Sequence, residues 1–351
     1  MSKQHKILRR TAATFLATAM MASLTAVPAL AVEGEEDVIT SLPITKVVTT
    51  DGDTYAPATT FTFTVTNGDA AEDFDDGTNT VDVTAGVTGG LTGTTIASSP
   101  NTDASTSTSY TFSGSLGVDL SKFGEPGVYH YVVGETAGSY EGITYSTESY
   151  DVYVYVVNGT DGLEVDAVIA FKDGEKQDSV VFTNNYGAGE NDSTHDVVIT
   201  KNVEGTLANM SDTFSFDIKV NGAEGEVYKV VYTQNKVPVT THVSSGDDGI
   251  TVSGIGDEDT ITIYGLSEND TYTVTETDGV SQGYTVTDTV SSDAAGTVSG
   301  KVTEDRTVES ITNTKDASTP TGIIRDIAPY ALLVVAAAGA CVIFLRKRTA
   351  E

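Results

Sequence analysis

The chain has 351 residues, enough for about two domains, and sets 50 Asp and Glu against 19 Lys and Arg for a formal net charge of −31. So acidic a chain repels a phosphate backbone, which excludes nucleic acid as a partner. Hydrophobic residues make up 39%, too many for a disordered chain. The histidines (His5, His130, His195 and His242) share no ligand spacing, so no metal, no cofactor and no His-based catalysis is expected.

In chain order, Lys3, Lys6, Arg9 and Arg10 precede an apolar stretch from about Ala12 to Val27, followed by Pro28-Ala29-Leu30-Ala31. This pattern predicts a secretory signal peptide over residues 1–31, cut before Val32; the alternative is an N-terminal membrane anchor. Period-two alternation then dominates, as in Thr60-Phe61-Thr62-Phe63-Thr64-Val65, Tyr150-Asp151-Val152-Tyr153-Val154-Tyr155-Val156 and Thr213-Phe214-Ser215-Phe216-Asp217-Ile218. The fold class expected is all-β: two tandem immunoglobulin-like β-sandwich domains, over 32–188 and 195–317. The Gly- and Asn-containing stretch from Gly187 to Ser193 reads as a linker, with its bounds set at 189–194, and the Thr-, Gly- and Ser-rich residues 85–109 as a long surface loop. Asp73-Phe74-Asp75-Asp76-Gly77 departs from calcium-loop spacing and reads as an acidic surface loop. Near the end, Ile327 to Leu345 is a 19-residue apolar run followed by Arg346-Lys347-Arg348, long enough at ~1.5 Å per residue to cross a bilayer with its basic end in the cytoplasm. The only cysteine, Cys341, lies inside that run, so the exported part holds no disulfide.

Three landmarks recur in the same order in both halves. Ile44-Thr45-Lys46-Val47-Val48 returns as Ile199-Thr200-Lys201-Asn202-Val203, Tyr129 to Glu135 as Tyr272 to Glu276, and Phe182-Thr183-Asn184 as Ile311-Thr312-Asn313. Strand periodicity puts Lys46 on the face of Ile44 and Val48, and Lys201 on that of Val197, Ile199 and Val203. Charged side chains are seldom buried unless paired. The chemistry that fits is amide formation between Lys and Asn. Burial favours a neutral Lys amine and a neutral Glu acid. Glu135 and Glu276 would then polarise the Asn carbonyl and shuttle protons while ammonia leaves. The products would be isopeptide bonds Lys46–Asn184 and Lys201–Asn313 between first and last strands; the alternative is a buried Lys–Glu ion pair with a hydrogen-bonded Asn.

With these landmarks, Phe123-Gly124-Glu125-Pro126-Gly127-Val128-Tyr129-His130-Tyr131 and Ser149-Tyr150-Asp151-Val152, the sequence resembles the major shaft (backbone) pilins of Gram-positive pili, of the streptococcal type with two isopeptide-bonded immunoglobulin-like domains. The likeness implies a non-enzymatic, structural subunit of a covalent cell-surface pilus. Its partners would be a pilus-specific sortase, identical subunits in head-to-tail polymer, minor pilins and peptidoglycan. Residues 318–351 resemble a sorting signal, with the transmembrane segment at 327–345 and cleavage between Thr321 and Gly322; Ser318-Thr319 stands where Leu-Pro is usual. The precursor would be membrane-held and the product a secreted, wall-anchored pilus. The resemblance puts the linking lysine at Lys176, with Lys172 the substitute. The other reading of the chain is a monomeric wall-anchored adhesin or pilus base subunit that binds a host ligand.

Overall fold

The computed structural model describes residues 39–77, 79–187, 194–290, 295–302 and 306–317. The signal peptide, most of the linker, Thr321, Gly322 and the apolar run at 327–345 lie outside the described residues. No α-helix occurs among the described residues, and the sole helical turn is the 3-10 segment Leu120–Lys122, where Asp119 accepts the Ser121 N–H. The all-β expectation is borne out, as tandem β domains.

Each domain opposes two sheets, one five-stranded and one eight-stranded in the first domain, one six-stranded and one four-stranded in the second. The first strand, Ser41–Thr49, shows why alternation specifies its placement: Ile44, Lys46 and Val48 are all at most 1% exposed, while Thr45, Val47 and Thr49 are half-buried and Pro43 is exposed. They meet Phe61, Phe63, Tyr131, Val133 and Phe182 in one core. Each fully buried aliphatic or aromatic side chain contributes about 1.5–3 kcal/mol, which lets such a core carry one desolvated polar cluster. A matching core forms around Ile199, Val203, Phe214, Phe216, Val274 and Ile311.

In both domains the first and last strands are parallel neighbours, a pairing no hairpin can make. Ser41–Thr49 pairs Val180–Tyr186, with Val48 opposite Asn184. Thr194–Glu204 pairs Arg306–Thr314, with Val203 opposite Asn313. The register is therefore the same in both, with each asparagine opposite the residue two beyond the lysine.

Two expectations need correction. Residues 85–109 are not a long surface loop: they contain strands Leu91–Thr92 and Thr94–Ser98, with Leu91 and Ile96 buried and the second strand paired to Thr59–Asn67. The two apolar side chains supply the anchor that the surrounding Thr and Gly conceal. The acidic segment at Asp73–Gly77 is not merely a surface loop either. Its Phe74 stacks on Tyr153 at a centroid distance of 4.2 Å, and Asp76 is buried, accepting the Tyr155 hydroxyl at 2.8 Å. Hairpin strands Ala71–Asp75 and Thr80–Ala85 thus cover a satellite core on Val128, Tyr153 and Phe171.

Candidate functional site

The shared register gathers the three predicted side chains of each domain into one buried cluster. In the first, Lys46 Nζ lies 2.8 Å from Glu135 Oε2, and the Asn184 amide donates to Glu135 Oε1 at 2.8 Å. Lys46 and Asn184 are fully buried, and so is the side chain of Glu135. Lysine and asparagine come from the five-stranded sheet; the glutamate reaches across from strand Gly127–Thr136 of the facing sheet. In the second cluster Lys201 Nζ lies 3.1 Å from Glu276 Oε2, and the Asn313 amide donates to Glu276 Oε1 at 2.6 Å. There the glutamate comes from strand Thr271–Glu276 of the four-stranded sheet.

Burial dominates the electrostatics. It pushes the Lys46 amine below the ordinary lysine range, only partly offset by the hydrogen bond and charge of Glu135. Lys201 is lowered by the same cause against the pull of Glu276, and burial raises the Glu276 carboxyl against its contacts with Asn313 and Lys201. Both directions favour the proton moving from amine to acid, the form in which a lysine can act as a nucleophile.

Three kinds of contributor escaped the sequence reading. Phe61 lies under the Lys46 amine at 4.7 Å from its ring centroid, and Phe214 under Lys201 at 4.5 Å, so an aromatic face shields each nitrogen. The available signal was the recurrence of Phe-x-Phe in the strand after each lysine. Ser146 donates its backbone N–H to Asn184 Oδ1 at 2.7 Å. This revises the expected role of Glu135: in this arrangement it faces the amide nitrogen, and the backbone donor polarises the carbonyl. Asn313 Oδ1 has no such hydrogen-bond partner among the described residues. The third contributor is Gly279, where a Cβ would collide with Glu276 Oε1 and Asn313 Nδ2. Gly279→Ala should therefore displace the second cluster and leave the first intact. The check is peptide mapping for crosslinks Lys46–Asn184 and Lys201–Asn313: only the second should disappear.

Of the lysines proposed for intermolecular linkage, Lys172 and Lys176 flank a two-residue turn in which Asp173 and Gly174 have φ of 53° and 80°. Both central residues at positive φ suit an Asp-Gly hairpin turn. Lys176 is exposed on the short strand Glu175–Gln177. Lys172 is instead held 2.5 Å from Glu148.

Paired sandwiches, each burying a lysine and an asparagine of its first and last strands against a glutamate of the facing sheet, define a class of β domains built around a candidate internal crosslink. Comparison with known proteins agrees. Residues 42–187 match the Spy0128-like isopeptide containing domain, and residues 195–315 a domain of unknown function (DUF7601). A pilin of Streptococcus pyogenes serotype M1 is 29% identical over 245 residues, covering 65% of this chain and 69% of that protein. The crystal structure of the major pilin from Streptococcus pyogenes overlays at a TM-score of 0.54 with 23% identity, over 79% of this chain and 99% of that one. The T-13 major pilin of Streptococcus pyogenes serotype GAS131465 gives 0.52 with 25% identity, over 80% and 98%. The chain's resemblance to the streptococcal shaft pilins is thereby borne out.

Proposed function

We propose that this chain is a structural subunit of a cell-surface pilus, exported by its signal peptide and polymerised by a pilus-specific sortase that joins Thr321 of one subunit to Lys176 of the next. The finished polymer, with minor pilins, is anchored to peptidoglycan. The observation that carries the reading is the repetition of one buried Lys–Glu–Asn cluster, in one register, in both tandem domains. A single buried ion pair could be structural. Two equivalent ones, each joining the ends of a domain, suit a load-bearing fibre.

In each cluster the neutral Lys Nζ adds to Asn Cγ. The protonated glutamate gives its proton to the departing Nδ2, the Cγ–Nδ2 bond breaks, and ammonia leaves. Glu then takes a proton from Nζ, which restores the acid and leaves a neutral amide. In the first domain the Ser146 N–H stabilises charge developing on Oδ1. Folding supplies the orientation, and each glutamate works once on its own chain, so the protein is not an enzyme in the turnover sense.

The test is intact mass of the chain made without sortase. The expected result is a deficit of one ammonia per cluster relative to the sequence mass. An unchanged mass rejects the internal bonds. Polymerisation is read separately, as a high-mass ladder in denaturing gels of wall extracts; a single band there rejects the shaft assignment.

A further inference from the structure

Away from both clusters, the joint between the two domains buries a second set of titratable groups. Tyr186, on the last strand of the first domain, donates its hydroxyl to Glu226 Oε1 at 2.5 Å. Tyr228 places its hydroxyl 2.6 Å from Glu226 Oε2 and 3.0 Å from Asp270 Oδ2. Glu226, Tyr228, Asp270 and Tyr186 are all at most 4% exposed. Backbone N–H groups of Ala223 and Ser267 also donate to Glu226 Oε2 and Asp270 Oδ2. Gly222 closes the space behind them: a Cβ there would meet Tyr228 OH, Asp270 Oδ1 and Glu226 Oε2.

Counting hydrogens decides the charge state of this group. A tyrosine hydroxyl owns one hydrogen and can donate it once. Tyr228 therefore cannot satisfy two ionised carboxylates. If it donates to Glu226, the Asp270 contact is favourable only when Asp270 carries its own proton and donates to the tyrosine oxygen. The chain Asp270 to Tyr228 to Glu226, closed by Tyr186 from the other domain, is complete with one proton and broken without it. We propose that this cluster is a proton-binding site that latches the two domains together, rigid when the carboxyl pair holds one proton and loosened when the proton leaves.

The electrostatics run the same way. Burial, then the neighbouring Glu226, raises Asp270 to about 7, and burial raises Glu226 as well. Among the described residues, the other titratable groups at the joint include Tyr140 and Glu141 of the first domain, the Lys229–Asp53 pair at 2.6 Å with the buried Tyr55 under the charge of Lys229, Lys301 acting through Asn269, and His195 on the strand beside Leu266 and Ser267. Glu141 adds negative charge and so helps retain the proton. A carboxyl raised in the closed joint binds its proton more tightly there than in the open one. The closed state thus loses a factor of about ten per pH unit as pH rises from the ordinary carboxylate range to about 7, and the loss is complete above it.

The experiment is a spin-label distance measurement on the full-length chain, with labels at Asp161→Cys and Val237→Cys in a Cys341→Ser background. We expect a narrow interdomain distance distribution at about pH 5.5 and a broader one above about pH 7.5. Glu226→Gln removes one negative charge, so no shared proton is needed, and the distribution should stay narrow at both. Tyr186→Phe cuts the bond across the joint from the first-domain side and should be broad at both. Equal widths for the unsubstituted chain at the two pH values overturn the proposal. So does a pH transition that survives in Glu226→Gln, or a narrow distribution at both pH values in Tyr186→Phe.

Discussion

Asn184→Ala is expected to lower the melting temperature of the first domain by roughly 15 °C while leaving its β-structure in place, and Glu135→Ala to lower it further. Both substitutions would abolish the proposed Lys46–Asn184 bond, but they leave different things behind. Without Asn184 the Lys46–Glu135 ion pair survives at its observed 2.8 Å, so the loss reads the crosslink together with the Ser146 N–H bond to the asparagine carbonyl. Treated like a disulfide closing a loop of about 100 residues or more, that crosslink contributes ~4–5 kcal/mol by restricting the unfolded chain. At roughly 2–5 °C per kcal/mol for a domain of this size, the shift follows. Without Glu135 the fully buried Lys46 has lost its acid as well, and orphaning one member of a buried pair costs a further ~3–5 kcal/mol. Calorimetry of the two variants beside the unsubstituted chain reads the order directly. Equal melting of Asn184→Ala and the unsubstituted chain, with only Glu135→Ala lowered, would mean that no bond forms. Trypsin digestion should follow the same order, because cleavage of the transiently opened state tracks stability.

Much of this site was legible because a strand reports its faces in period two. A lysine between Ile44 and Val48, and another between Ile199 and Val203, contradicts the rule that charge goes outside, and the contradiction repeats with an asparagine and a glutamate at matching places. The parallel register that sets each asparagine beside its lysine was not legible, since it depends on how the chain ends meet after folding. Ser146 was invisible for another reason: it acts through a backbone N–H, which nearly every residue possesses. Phe61 and Phe214 alternate like any core aromatic, so nothing local distinguishes a side chain that covers an amine from one that fills space. Leu91 and Ile96 were lost among threonines and glycines that suggested a loop. The joint cluster was equally hidden, because Tyr186, Glu226 and Asp270 are scattered in sequence and only the packing of one domain on the other brings them together.

Lys176→Ala is expected to abolish the high-mass ladder entirely while leaving secreted, folded subunits that carry both internal bonds. A lysine that attacks an acyl-enzyme must be reachable and must shed a proton. Lys46 and Lys201 are buried against their own glutamates and are consumed within the subunit in the proposed scheme. Lys172 is reachable only in part: its ammonium sits 2.5 Å from Glu148 and over the Tyr150 ring, and the Glu148 hydrogen bond raises its pKa, which makes the free amine scarcer. Lys176, exposed on the strand just after the Asp173-Gly174 turn, is held by neither contact. A link from Thr321 of one copy to Lys176 of the next joins unlike surfaces, so it propagates into a filament instead of closing into a ring. The Lys46–Asn184 and Lys201–Asn313 bonds would then tie each domain's first and last strands together along the path of load. Immunoblots of wall extracts from cells carrying Lys176→Ala or Lys172→Ala separate the candidates. A ladder lost only with Lys172→Ala moves the link to Lys172, and a ladder surviving both substitutions rejects this turn as the linking site.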